Sequence, residues 1–193
     1  MAEVDSTLGH EAIAQLIFSR SSTKKFSDDP VPRNDIETLL AAAVRAPDHG
    51  LLAPWRFIVL QGESRGVLSR AMQQAFASRN PVASDDMLER EGSKAWRSPV
   101  LIVVIAHFQS HPKVPDTEQL LAVGAAVQNL WLTAASLGLG VAWKTGSHAY
   151  DPIVRSALDV GSNEQIVGFI HIGRPIAQNP VRQPEYVSRT RWG

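Results

Sequence analysis

Cysteine is absent from the 193 residues. That excludes disulfides, thiol nucleophiles and cysteine-ligated metals, and it fits a reducing compartment. An excess of either charge is also missing: Lys plus Arg and Asp plus Glu each total 19, for a formal net charge of zero. Nucleic-acid-binding domains ordinarily carry a basic excess, so no nucleic-acid partner is expected. No basic stretch leads into an apolar run at the start, so no signal peptide is expected and the chain reads as cytoplasmic. Several chemical signatures are lacking as well. There is no Gly-x-Ser-x-Gly elbow and no His-Glu-x-x-His pair. Gly138-Leu139-Gly140 could begin a dinucleotide fingerprint, but it follows a helical pattern, opens a strand, and has Trp143 where a third glycine belongs. Lys144-Thr145 lacks the glycine-rich lead of a phosphate loop. His107 and His111 would suit two metal ligands only on a helix; Pro112 and the preceding strand oppose one, and no third ligand is near, so no metal is expected. Hydrolase, kinase and zinc chemistry find little support.

What is present is an ordinary globular composition, 44% hydrophobic and 20% charged. No internal repeat or composition break divides the chain, and one domain over residues 1–193 is expected. After a loose lead, Ile13, Leu16 and Ile17 form a helical stripe ending near Arg20. Asp28 to Pro32 makes a turn, with Pro32 near the start of a helix carrying Ile36, Leu39, Leu40, Ala43 and Val44. Residues 55–60 read as a strand stopped by Gly62, and Ser64 as the cap of a helix bearing Val67, Leu68, Ala71, Met72, Ala75 and Phe76. Residues 79–98 are polar, broken at Pro81 and Gly92, and read as a mobile helical excursion that could cover a site. Residues 100–106 are apolar on both sides, which places them centrally in a sheet covered on both faces.

Residues 117–137 form a long helix, apolar around nearly its whole circumference yet interrupted by Glu118, Gln119, Gln128, Asn129, Thr133 and Ser136. Those interruptions make it a poor membrane span, and burial in a core that continues into a dimer interface is the expectation. Gly138 suits its left-handed cap. A short strand follows over 141–144, then a short helix capped by Asp151 with Pro152 first, then a strand over 165–173. The tail is rich in Pro and Arg and would need to dock on something to be ordered.

Separated pieces remain as candidates for chemistry. Arg20-Ser21-Ser22-Thr23-Lys24-Lys25 offers cations and hydroxyls that could wrap a phosphate, although locally a solvated helix end is the simpler account. Arg45-Ala-Pro-Asp-His49-Gly-Leu-Leu-Ala-Pro-Trp55 is a rigid corner between helix and strand that exposes Arg45 and His49; its plain reading is a helix stop and a surface loop. Trp143-Lys144-Thr145-Gly146 turns off the short strand, and the tail adds Arg174 and Arg182.

In this order and spacing, around the long helix and its Leu-Gly-Leu-Gly exit, these pieces resemble the FMN-dependent nitroreductase family, and within it the short-chain branch with an Arg-Ala-Pro-Asp-His corner. The resemblance runs from about Ile13 to Trp192. It implies an α+β fold with a mixed, mainly antiparallel sheet flanked by helices, and a homodimer whose two FMN sites are each built by both chains. Arg20, Ser21, Ser22 and Lys24 fall on positions that hold the flavin phosphate and ribityl end, with Ser21 replacing the commoner second basic residue. Arg45 and His49 match positions presented to the partner subunit's flavin. Trp143, Lys144, Thr145 and Gly146 match the segment along the ring edge, Lys144 being the candidate cation near the N1–C2 region and Pro47 or Trp143 a flat wall. Arg182 sits near a late phosphate arginine, with Arg174 as its competitor. No catalytic side chain is expected, because the flavin carries the chemistry. NAD(P)H would reduce it and leave before a nitroaromatic, quinone or other flat acceptor enters. The same scaffold could also serve as a flavin-binding storage or sensory protein without nicotinamide turnover, and a third possibility is a non-catalytic helical dimerisation protein.

Overall fold

The computed structural model describes residues 10–177, 180–181 and 185–193. Arg182, assigned above to the phosphate, and most of the N-terminal lead lie outside the described residues.

Four strands make one sheet in the order β1-β2-β4-β3, with β1 at Trp55–Gln61, β2 at Val100–His107, β3 at Gly140–Lys144 and β4 at Glu164–Gly173. Every pairing among them is antiparallel, so the mixed character expected of the sheet is not seen among the described residues. The Val/Ile run of β2 lies in the interior of the sheet, and Val100 to Ala106 are all fully buried. Alternation along β2 then sends side chains into two separate cores. Val100, Ile102 and Val104 join α2 (Arg33–Ala43) and α5 (Asp116–Ser136) on one face. Leu101, Val103 and Ile105 join α3 (Arg65–Arg79) and α6 (Pro152–Ala157) on the other.

The long helix α5 explains its own composition. Val123, Ala126, Val127, Leu130 and Ala134 are fully buried against α2 and the sheet. Its other side keeps Leu121 67% exposed and leaves Gly124 with open space where a Cβ would stand. α1 (His10–Ser19) touches α5 and exposes Ile13, Ile17 and Phe18. The helix ends as its sequence requires: Gly138 adopts φ 69°, and the Leu139 N–H donates to Ala134 O at 2.8 Å.

Asp151 caps α6 by accepting from the Ile153 N–H at 2.9 Å, with Pro152 first in the helix. Ser64 behaves differently from the cap expected of it. It lies in helical geometry, its hydroxyl donates to Gln61 O at 2.6 Å, and it accepts from the Gln61 N–H at 2.8 Å. It therefore closes the turn that ends β1 rather than starting α3.

The segment over 79–98 is largely helical, as expected, and it is docked on a neighbouring helix. It folds as α4 (Asp85–Gly92) and a 3-10 turn (Ser93–Trp96) packed on α3. Ala95 is fully buried, and a Cβ on Gly92 would run into Ser69 and Gln73 of α3. Most of its polar residues face out, Glu91 and Ser98 being exceptions, while small residues at the contact let the helices approach.

Candidate functional site

The cationic run 20–25 is held in an extended course between two partners. The Thr23 N–H donates to Val141 O on β3 at 2.9 Å. Further on, the Ser27 N–H donates to Arg174 O, the Ile176 N–H donates to Lys25 O, and Phe26 bridges Pro175. The helix-end account of this run thus covers only its start. Thr23 is buried, packed over Gly140, where a Cβ would collide with the Thr23 side chain. Glycine at 140 is therefore what lets the run lie on β3.

The run spreads its side chains over more than one cavity. Arg20 and Ser21 line one cavity of about 680 Å³, with Trp131, Gly138, Pro175 and Ile176 around them. The Arg20 guanidinium stacks 4.9 Å over the Trp131 ring, which fixes where its charge sits. Lys24 instead lines a second cavity of about 140 Å³ with Arg97, Lys144 and His171. A third, about 290 Å³, holds Lys94, Arg97, Lys144, Thr145, Gly146 and His148 among its walls. Thr23 borders the first two cavities, and Arg97, Lys144 and His171 border the last two, so the three follow one another along the β3 edge. Arg20, Lys24, Lys94, Arg97 and Lys144 line this chain of cavities, and no carboxylate does among the described residues. In a chain of zero net charge, that segregation marks the place for an anionic ligand.

The far end of this region is braced from behind. Gly146 takes φ 76°, turning the chain off β3, and His148 is buried just after it. His148 Nε2 meets Glu91 of α4 at 2.6 Å, and the Lys94 ammonium donates to the same carboxylate at 2.5 Å. Burial lowers the His148 pKa more than the Glu91 contact raises it, so the ring sits below its usual range. Burial alone would raise Glu91, but the hydrogen bonds from Lys94 and His148 outweigh that and keep its carboxyl low. Arg79 pairs with Asp151 and tethers the other end of the turn.

The sequence-predicted residues divide into groups. Arg20, Ser21, Lys24, Lys144, Thr145 and Gly146 line the cavities, whereas Ser22 is exposed and lines none of them. Trp143 and Lys144 point to opposite faces of the sheet, because Lys144 pairs with Phe169 of one core and Trp143 with Ile170 of the other. Lys144 thus lines the cavities, and Trp143 does not; its indole N–H donates to Val167 O at 3.1 Å.

Arg45, Pro47 and His49 are exposed and line none of these three cavities. His49 Nδ1 lies 2.5 Å from Glu118 in the first turn of α5. Trp131, under Arg20, is 13 residues further along that helix, about 20 Å at 1.5 Å per residue. Arg20 and His49 of one chain therefore stand well apart.

The corner itself is strained and firmly tied. Gly50, Leu51 and Ala53 all have positive φ, at 80°, 54° and 49°. Asp48 accepts from the Ala53 N–H at 2.6 Å, and Gln109 donates to Leu52 O at 2.5 Å. Non-glycine residues in this region cost roughly 1–2 kcal/mol each, so the geometry is imposed by its surroundings. It leaves Leu51 89% exposed at the tip.

Sequence reasoning missed Lys94, Arg97, Trp131, His148 and His171 as lining residues, and it included Thr23 only as one hydroxyl of the 20–25 run. His171 had a legible signal, a titratable residue inside the apolar run Phe169-Ile-His-Ile172. The others depend on contacts between elements distant in sequence. His107 ends β2 beside Glu164 at 3.2 Å, and no group of metal-ligating side chains occurs among the described residues.

Similarities to known proteins bear on the fold and the family. The family model described as "Nitroreductase family" matches residues 17–174. The Escherichia coli K12 protein named "Putative NAD(P)H nitroreductase YdjA" is 30% identical over 161 residues, covering 83% of this chain and 87% of that one. Among solved structures, a nitroreductase-like family protein from Bacillus cereus superposes with a TM-score of 0.81 at 25% identity, over 93% of this chain and 95% of that one. The FMN-dependent nitroreductase NfnB from Mycobacterium smegmatis, solved in complex with NADPH, shares the fold with a TM-score of 0.76 at 17% identity, over 95% and 98%.

Proposed function

The chain belongs to the nitroreductase family of oxidoreductases, and on that premise we propose that it is a cytoplasmic, homodimeric, FMN-dependent enzyme of one domain. It takes a hydride from NAD(P)H and delivers it to nitroaromatics, quinones or related flat acceptors. The observation that carries this reading is the run of cavities along β3, lined by Arg20, Lys24, Lys94, Arg97 and Lys144 without a carboxylate. Its length and charge suit an elongated ligand with an anionic end and a polar heteroaromatic end, which is what FMN is.

In this reading Arg20 holds the phosphate, its guanidinium set by the Trp131 stack, with Ser21 alongside; Ser22, which lines none of the cavities within one chain, and a tail arginine, Arg174 or Arg182, are the family's further candidates for that end. Lys24, expected from the resemblance at the phosphate and ribityl end, shares a cavity with Lys144 instead and is assigned with it to the ring end, and Thr145 and Gly146 follow the ring's edge. Bound FMN supplies the hydride relay, so the side chains need only bind, orient and exclude water. A cation such as Lys144 beside the pyrimidine half of the ring favours the anionic reduced form and so raises the potential. Arg45 and His49 act on the neighbouring copy's site, because within one chain His49 lies far from Arg20. The uncharged outer stripe of α5, bordered by exposed Ile13, Ile17 and Phe18 of α1, supplies an apolar face for that neighbour.

The test is direct. Purified protein should be yellow, and anaerobic NADH or NADPH should bleach it. Yellow protein that neither nicotinamide bleaches would make it a flavin-binding storage or sensory protein, and colourless protein that takes up no FMN would overturn the flavoprotein reading.

A further inference from the structure

Where the second and third cavities meet, the hydrogen-bonding character of one wall residue can be worked out from its neighbours. His171 stands on β4, 3% exposed, and its ring borders both cavities. Its Nδ1 lies 3.0 Å from Ser98 Oγ. The Ser98 hydroxyl has a single proton, and it donates that proton to Val100 O at 2.7 Å. Ser98 Oγ must therefore accept from His171, which puts the imidazole proton on Nδ1 and leaves Nε2 with a free lone pair. Burial, with Arg97 and Lys144 adding to it, lowers the His171 pKa to about 4, so the ring is neutral at pH 7.

Nε2 makes no hydrogen bond among the described residues, and it is not among their buried unsatisfied atoms, so it remains open to the cavity. The wall accordingly offers an acceptor at His171. Two cations border it from either side. Arg97 precedes Ser98 on the chain entering β2, and Lys144 ends β3, the strand on the other side of β4. The pattern is donor, acceptor, donor. A bare anion does not match it, since a lone pair would face the charge. The complement is an acceptor, donor, acceptor edge, which is the imide of a pyrimidinedione: carbonyl, N–H, carbonyl.

We propose that His171 recognises the N3–H of the flavin ring, with Lys144 and Arg97 donating to the carbonyls on either side. His171 is then a specificity-determining residue whose tautomer is set by Ser98. The proposal rests on the flavoprotein reading and assigns the ring's orientation within it. The pyrimidine half lies between Arg97 and Lys144.

The decisive measurement uses unaltered protein loaded with ¹⁵N-labelled FMN and labelled with ¹⁵N-histidine. A two-bond ¹⁵N–¹⁵N coupling between flavin N3 and an imidazole Nε2, lost in His171→Leu, is the expected result. In a companion binding assay, apoprotein should prefer FMN over N3-methyl-FMN by at least about tenfold, the worth of one buried hydrogen bond. His171→Leu should collapse that preference towards unity, and Ser98→Ala should reduce it. FMN bound without any N3–imidazole coupling overturns the proposal while leaving the flavoprotein reading intact, and it does so even if His171→Leu fails to fold. Protein that takes up no FMN overturns both, and the absence of any flavin absorbance distinguishes that case.

Discussion

At the level of single residues, the charges that line the cavities are set by their neighbours. Arg20 stacks on Trp131, so both should matter to ligand retention. Arg20→Ala should weaken FMN binding by about 10- to 100-fold, the worth of a charge-assisted contact to phosphate, without changing unfolding by urea. Trp131→Leu should give a smaller loss, and fluorescence titration with FMN measures both.

Three groups also fix the acid behaviour of the apoprotein. His171 is held at about 4 against an ordinary 6.5, so the unfolded chain takes its proton first. Stability is then lost as pH falls from 6.5 towards 4, and buried His148 contributes with the same sign. Glu164 lies at about 2 against an ordinary 4.5, held chiefly by the Arg56 hydrogen bonds at 2.6 and 2.8 Å. Its share is fully present above 4.5 and is lost as pH falls towards 2. Urea midpoints measured from pH 7 down to 2.5 should therefore fall in two stages, and Glu164→Gln should flatten only the lower one.

At the scale of elements, what the sequence made legible was mostly local. Proline and aspartate at 151–152, glycine at 138 and the unbroken apolar run at 100–106 announce their geometry through backbone chemistry, and each element appears where it was expected. Ser64 misled because serine closes turns as readily as it caps helices, and only the Gln61 contact decides between them. The segment 79–98 looked detached because its anchoring residues, Gly92 and Ala95, are too small to form an apolar stripe. Thr23 was legible only as one hydroxyl of the 20–25 run, because its packing role depends on Gly140, a residue 117 positions away on another strand. That pair yields a test. Gly140→Ala sets a Cβ against Thr23, so the 20–25 run must lift off β3. FMN retention should drop at least tenfold while the core melts within about 1–3 kcal/mol of the parent, the usual scale of overpacking. Equal loss of stability in the cores would show that the run is not a separable part of the site.

At the scale of the whole molecule, α5 sets the geometry. Its inner face closes one core, and truncating Leu130 to Ala should cost about 2–5 kcal/mol. Its length separates Glu118, which holds His49, from Trp131, which holds Arg20. The strained corner and the 20–25 run belong to one reading of the sequence but not to one place in the chain, and the proposed site shared between two copies would reconcile them. Complementation tests this most directly. Arg20→Ala chains are mixed with His49→Ala chains under conditions that exchange subunits, and tight FMN sites are counted. If each site takes Arg20 from one copy and His49 from the other, the mixed dimer has one site with neither group and one with both. The account predicts one tightly bound FMN per mixed dimer and none in either parent. If both groups served the same site within one chain, every site in the mixture would lack one of them, and the absence of any tight site would contradict the account.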